Sequence, residues 1–336
     1  MKKIKRYLVI LILVLTVAYL LGPKPPKPDL NRNLPSLPAS ISNIESWIRE
    51  KEEGINIRPD NESRIIWAED TIRERTEYCL LYLHGFSASW YEGYPVNVSF
   101  ARYFGCNAYM PRMASHGEET VEPLIDMTPE RLWESAKEAL MVARSLGKKV
   151  IIMGSSTGGT LGLTLTAEFP EYVDGLILLS PNVRINNNYA FLLSKPWGLQ
   201  IARSVYDGKY RTTNQDSLSK ECQYWYCRYR LEATVYLQQL IEETMTSETF
   251  GRISAPVFLG YYYMDRDNQD DVVKVSAMLK MFEQLGTSAD RKVKVAFPGA
   301  GAHVIAGELF SGSVEEVLDE SIKFGRDILN MKRAGL

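Results

Sequence analysis

Residues 150–169 read VIIMGSSTGGTLGLTLTAEF. Val150–Met153 is a continuous apolar run, the signature of a strand buried on both faces. Gly158–Phe169 is apolar and rich in small residues, and Pro170 closes it as a helix. Between the two lies Gly154-Ser155-Ser156-Thr157-Gly158, a G-x-S-x-G pattern at a strand-to-helix turn. Such a turn is tight enough to need small flanking residues, and it pushes the middle hydroxyl, here Ser156, out at the end of the sheet. A dinucleotide loop would need G-x-G-x-x-G and a P-loop G-K-[ST]; neither occurs.

The surrounding chain alternates in the same way. Strands are expected at Arg64–Ala68, Tyr78–Leu83, Asn107–Met110, Gly175–Leu179, Val257–Gly260 and Val293–Phe297. Helices are expected over Thr128–Gly147, with Thr128 as N-cap, Pro129 in the first turn and Gly147 as stop, and over Val272–Gly286 and Val314–Leu329. Continuous apolar strands alternating with helices predict an α/β, doubly wound, mostly parallel sheet. Residues 182–254 break the rhythm. This stretch holds no convincing strand, carries many aromatics, and has a helical pattern over Glu221–Thr246. An insertion of that length inside an α/β domain is expected to be a helical cap or lid, its aromatics divided between a small core of its own and a function. The division is therefore 43–181 and 255–336 for the core and 182–254 for the cap.

Residues 1–22 read differently. Lys2, Lys3, Lys5 and Arg6 precede the charge-free run Tyr7–Leu21, a basic segment before a short apolar stretch, as in targeting sequences. No A-x-A-like cleavage pattern follows. The expectation is a membrane anchor or signal, with the rest of the chain on the non-cytoplasmic side. Residues 23–42 hold six of the 16 prolines and read as a semi-rigid linker that spaces the domain from the membrane. Composition narrows the partners. With 39 Lys+Arg against 41 Asp+Glu the net charge is -2, so no global basic field exists for nucleic acid.

A serine hydroxyl is a weak nucleophile and needs a base. Of the 3 His, His303 lies in the loop after the last strand, in FPGAGAHVIAG. A base there gives the chain order Ser, acid, His. His84 and His116 follow earlier strands and are expected to serve as hydrogen-bonding loop residues. The acid should lie between Val257–Gly260 and the next helix, where YYYMDRDNQDDVV offers Asp265, Asp267, Asp270 and Asp271. Asp270 fits best, just ahead of the apolar start of that helix, with Asp265 and Asp267 as alternatives. Two backbone donors should hold the developing oxyanion: Thr157 N–H after the nucleophile and Phe86 N–H after His84-Gly85.

LYLHGFSAS, PRMASHG, GSSTGG, the Asp-rich loop and AGAHVIAG, in that order, resemble the α/β-hydrolase family, and within it the carboxylesterase and monoacylglycerol-lipase-like members. The resemblance runs from about Ser63 to the C-terminus. It implies Ser156 as nucleophile, His303 as base and Phe86 as oxyanion donor, a cap at 182–254, and no cofactor. The acid loop departs from the family's shorter G-x-x-D-x-x-V. No H-E-x-x-H or paired C-x-x-C suggests a metal. In the family's sheet the strands carrying Cys79 and Cys106 would be neighbours, so a bridge between them is open. Cys222 and Cys227 would need a turn between them to bridge. The expected function is hydrolysis of a small-molecule acyl ester, with lipid-like or aryl groups favoured by the aromatic cap. Thioesterase, acyltransferase and carbon–carbon hydrolase chemistry share the fold, and a non-catalytic binding protein is the reading from another class.

Overall fold

A computed structural model describes residues 2–38, 40–69 and 71–335. Seven strands form the central sheet: β1 (Arg64–Ile66), β2 (Thr76–Leu83), β3 (Asn107–Met110), β4 (Gly147–Ser155), β5 (Gly175–Leu179), β8 (Val257–Tyr261) and β9 (Lys292–Ala296), in the order β1-β3-β2-β4-β5-β8-β9. All neighbours pair in parallel except β1 with β3. The pleat of β2 shows why both faces are covered. Cys79, Leu81 and Leu83 enter one core, with Trp133 and Leu140 of α4 (Pro129–Leu146) and Leu161 and Leu165 of α5 (Thr157–Glu168). Leu80 and Tyr82 enter the other, with Phe100 of α3 (Val96–Phe104) and Phe324 of α11 (Val314–Asp327). Period-two alternation sends successive side chains to opposite faces, so an all-apolar strand demands helices on both. Thr128 caps α4 as expected, its hydroxyl accepting from Arg131 N–H.

α10 (Val275–Gln284) starts three residues later than its apolar pattern suggested, because the N–H groups of Val272 and Val273 are already taken by Asp270. The insertion also departs from expectation. It contains a short antiparallel pair, β6 (Tyr210–Thr212) with β7 (Arg228–Arg230), where no strand was foreseen. The helical pattern of 221–246 is broken into α7 (Lys220–Tyr224) and α8 (Glu232–Thr244). The break lets Cys222 and Cys227 form a disulfide across a Cα separation of 5.4 Å, a turn that one straight helix would forbid. Cys79 and Cys106 are buried and free. The aromatics divide: Tyr224, Tyr226 and Tyr229 are buried, while Phe191, Trp197 and Tyr206 are exposed. Arg228 stacks over the Tyr210 ring, its guanidinium 3.5 Å from the centroid.

The N-terminal region corrects two expectations. α1 (Lys2–Leu20) opens on its basic residues, leaving Tyr7–Leu20 charge-free. At about 1.5 Å per residue that run is roughly 21 Å long, against a hydrocarbon core of about 30 Å. Among the described residues no helix is long and apolar enough to cross a membrane, so the spanning anchor expected from the sequence is not supported.

Residues 23–38 are a strap on the protein's own surface rather than a free spacer. Gln239 of α8 donates to Pro26 O at 2.6 Å, and Lys27 pairs with Glu243 at 2.9 Å. Further along, Trp133 Nε1 donates to Asn31 O at 2.6 Å. Lys137, whose side chain is fully buried, donates to Asn31 O, Asn31 Oδ1, Asn33 O and Glu134 Oε1. Leu30, Leu34 and Leu37 pack on the core. The prolines stiffen the chain as expected, and a buried ammonium with four oxygen partners supplies the attachment that no local pattern announces.

Lys137→Ala would remove the ammonium donor from Asn33 O, and one of two donors from each of Asn31 O and Asn31 Oδ1. It is expected to lower unfolding stability by about 2–3 kcal/mol, read as a fall in urea midpoint, and to open the strap to proteolysis near residues 23–38.

Candidate active site

The turn between β4 and α5 holds Ser156 at φ 49 and ψ -115, a backbone conformation that costs a non-glycine residue about 1–3 kcal/mol. The surroundings over-determine it. Ser156 N–H donates to Leu179 O at 3.0 Å, and Ser156 O accepts from Asn182 N–H at 2.9 Å and Thr160 N–H at 3.2 Å. Close approach explains Gly158: a methyl there would lie 1.9 Å from Leu83 O. α5 can thus sit directly against the end of β2, where the His84–Ser87 loop begins.

Asp270 is 1 % exposed and lies in the loop after β8. Its Oδ1 accepts the N–H groups of Val272 and Val273, each at 2.9 Å, and its Oδ2 lies 2.7 Å from His303 Nδ1. One carboxylate oxygen is therefore fixed by backbone, and the other is left to orient the imidazole. Burial alone would depress the His303 pKa, but the Asp270 charge and hydrogen bond, with a smaller contribution from Glu92, carry it above the ordinary histidine value. Asp265 does other work. It is exposed, and it accepts the N–H groups of Asp267 and Asn268 and the Asn268 amide, shaping the outer loop. Asp267 and Asp271 are exposed. Among the described residues no hydrogen bond joins the Ser156 hydroxyl to His303 in this arrangement; such contacts commonly tighten only when substrate binds.

The His84–Ser87 loop is held by both remaining histidines. His84 Nε2 accepts Met113 N–H at 3.2 Å and His116 Nε2 accepts Ser87 N–H at 3.1 Å. Each Nδ1 then faces a carbonyl, Gly85 O and Ala114 O respectively, which assigns the proton to Nδ1 in both. Burial keeps them neutral, lowering His84 to about 4 and His116 well below the usual value. Among the described residues neither Phe86 N–H nor Thr157 N–H has a hydrogen-bond partner. The α5 N-terminus adds its positive dipole end beside Thr157.

Sequence reading missed Glu92. It lies in a 3-10 turn, Trp90–Gly93, and is 2 % exposed. Its Oε2 accepts Gly85 N–H and lies 3.4 Å from the Tyr82 hydroxyl, which also reaches Ser155 Oγ at 3.1 Å. A glutamate among WYEGYP reads as an ordinary exposed turn residue, and nothing local marks it as buried.

The sequence over residues 80–311 matches the profile of the alpha/beta hydrolase family. The chain belongs to the α/β-hydrolase family. Among solved structures, this α/β-hydrolase is similar to one of the metagenome-derived lipolytic enzymes LipS and LipT, at 17% identity and a TM-score of 0.65, covering 81% of this chain and 99% of that one. The monoacylglycerol lipase of Paleococcus ferrophilus is similar at 16% identity and a TM-score of 0.55, over 78% and 96% of the two chains. Est1E of Butyrivibrio proteoclasticus, solved with ferulic acid bound, matches at 15% identity and a TM-score of 0.55, over 80% and 95%. At these identities the likeness is one of fold. None of the curated proteins matches the chain.

Proposed function

We propose that this α/β-hydrolase is a serine carboxylic-ester hydrolase. Ser156 attacks the acyl carbonyl while His303 Nε2 takes its proton, and Asp270 holds the imidazole and stabilises its cation. The Phe86 and Thr157 N–H groups receive the oxyanion. Collapse expels the alcohol, protonated by His303, and water then releases the acid from the acyl-enzyme by the same steps in reverse roles. The observation that carries this reading is the 2.7 Å contact between Asp270 and His303, together with the Ser156 turn and two backbone donors that have no partner among the described residues.

Apolar acyl esters are the substrate class we favour. Phe86 of the proposed oxyanion loop meets the cap residue Tyr229 edge-on at 5.0 Å, so the cap brings an aromatic ring to that loop. The lipolytic enzymes LipS and LipT and the ferulic-acid-bound Est1E among the structural neighbours support the same class. We also propose that the catalytic domain works on the non-cytoplasmic side. The basic N-terminal segment and the Cys222–Cys227 disulfide support this, since such bridges persist in oxidising compartments. Alkylation of Cys222 and Cys227 in intact cells without prior reduction would count against it.

Hydrolysis of p-nitrophenyl esters of increasing acyl length by the full chain tests the activity. A rate that peaks at some length sizes the acyl site, and no turnover at any length by folded protein would overturn the ester reading. The pH profile is a further expected result. Activity requires neutral His303, whose pKa is raised, so kcat/KM should fall on the acid side with a midpoint above about 6.5. Activity that stays flat down to about pH 4 would exclude His303 as base.

A further inference from the structure

Glu92 has no part in the three-residue mechanism above, yet it is the second buried carboxylate of the site. Its position follows from the 3-10 turn Trp90–Gly93, which braces three parts of the protein at once. Toward the nucleophile, the Gly85 α-carbon is wedged between Glu92 and Ser156. A methyl on Gly85 would lie 2.5 Å from Glu92 Oε1 and 3.1 Å from Ser156 Cβ. Toward the base, the backbone just after the turn pairs with the loop that carries His303. Pro95 bridges Gly307, and Glu308 N–H donates to Tyr94 O at 3.0 Å. Toward the cap, Tyr91 stacks on Tyr224 at 4.1 Å, and its hydroxyl contacts both Glu308 and Lys220.

We propose that Glu92 is a positioning residue of the hydrolase reaction: it holds the His84–Gly85 peptide, one residue before the proposed oxyanion donor, against Ser156, and supplies a second carboxylate, apart from Asp270, whose charge acts on His303. The proposal rests on the serine-hydrolase reading. Its geometric part is direct. Glu92 Oε2 accepts Gly85 N–H and so fixes the His84–Gly85 peptide, the plane immediately before the one that carries Phe86 N–H. Gly85 O, in the plane that carries Phe86 N–H, accepts from Ala88 N–H at 3.3 Å and lies 2.9 Å from His84 Nδ1, so Glu92 fixes the other peptide of the same glycine. The loop is then held on both sides, by Glu92 at Gly85 N and by His116 at Ser87 N.

The electrostatic part concerns His303. The titratable groups facing Glu92 are Tyr82 from β2 and His303 from the loop after β9; no lysine or arginine is among its hydrogen-bond or charge partners in the described residues. Burial raises the Glu92 pKa to about 7, against the pull of the Gly85 N–H, the His303 charge and Tyr82. The ionised carboxylate in turn favours the imidazolium. The charge state of each group therefore depends on the other, and the acid limb of the activity profile belongs to the pair rather than to His303 alone.

The test uses Glu92→Gln and Glu92→Ala in the full chain, with turnover of p-nitrophenyl butyrate followed from pH 5 to pH 9 and thermal melts run on both. Glu92→Gln keeps an acceptor for Gly85 N–H and removes the charge. It is expected to retain kcat within about 10-fold at high pH, while its acid limb moves to lower pH and narrows to a single proton. Glu92→Ala also loses the acceptor, and its kcat is expected to fall by about 100-fold with KM little changed, as when an oxyanion donor is misplaced. A Glu92→Gln profile superimposable on the wild type, or a Glu92→Ala kcat within about two-fold of it, would overturn the proposal. If Glu92→Ala does not fold, the isosteric Gln variant decides.

Labelling with a fluorophosphonate separates the two levels. The probe forms a P–O bond to the attacking serine and expels fluoride, and it needs no knowledge of the natural substrate. Wild-type protein that is not labelled at Ser156 would sink the serine-hydrolase reading. Wild-type labelling with unchanged rates in both Glu92 variants would sink only the role of Glu92.

Discussion

Ser156→Ala is expected to lower kcat on any ester substrate by about 10⁴-fold or more, with KM changed little and the protein still folded. The reasoning is that no other hydroxyl replaces the one lost. Ser155, its neighbour, is engaged with Tyr82, and α5 begins at Thr157, whose backbone N–H is proposed as the oxyanion donor. Residual hydrolysis would come from the donors at Phe86 and Thr157 acting on a water. Stability should not suffer. The Ser156 backbone bonds to Leu179, Asn182 and Thr160 do not involve the side chain, so alanine inherits the same strained turn. Turnover by Ser156→Ala within ten-fold of wild type, with mass spectrometry showing no contaminating enzyme, would remove Ser156 as nucleophile.

Gly158→Ala carries the largest expected effect on stability. Its methyl would sit 1.9 Å from Leu83 O, and the next contacts, Leu83 C and His84 O, are also backbone. A flexible side chain could swing aside; backbone at the end of a central strand cannot without moving β2 or α5. Destabilisation of about 3 kcal/mol or more is expected, with insoluble expression as its extreme form. Gly251→Ala is the matched control, since a methyl there meets nothing within 4 Å, and it should lie within about 0.5 kcal/mol of wild type. Equal urea midpoints for the two variants would show that the β2–α5 contact is not as tight as described.

The fold was legible because its signals are local and repeated. Asn107–Met110 and Gly175–Leu179 are strands with the bounds the apolar runs predict, and Thr128 with Pro129 marks the start of α4. Those signals depend on side-chain periodicity and on capping chemistry, which act over a few residues. The cap resisted the same treatment. Residues 221–246 have helical periodicity throughout, yet the chain breaks at Trp225–Leu231. There, long-range bonds override propensity: Tyr226 N–H reaches Ser87 O, and Arg230 N–H reaches Pro123 O. Likewise the strap was read by composition as a spacer, because proline content reports stiffness and says nothing about where a stiff segment lies.

The α/β alternation, the turn that presents Ser156 and the chain order of a candidate acid and base were all determined by sequence alone, since each is a local pattern or an ordering along the chain. Which carboxylates face the imidazole was decided only by tertiary structure. Asp265, Asp267, Asp270 and Asp271 are nearly equivalent in sequence, and Asp270 alone among them is buried with an oxygen on His303 Nδ1. Glu92 had no distinguishing pattern at all. Its role arises from burial against Gly85 and Tyr82, and burial of a charge depends on what distant segments cover it, which no window of neighbouring residues contains.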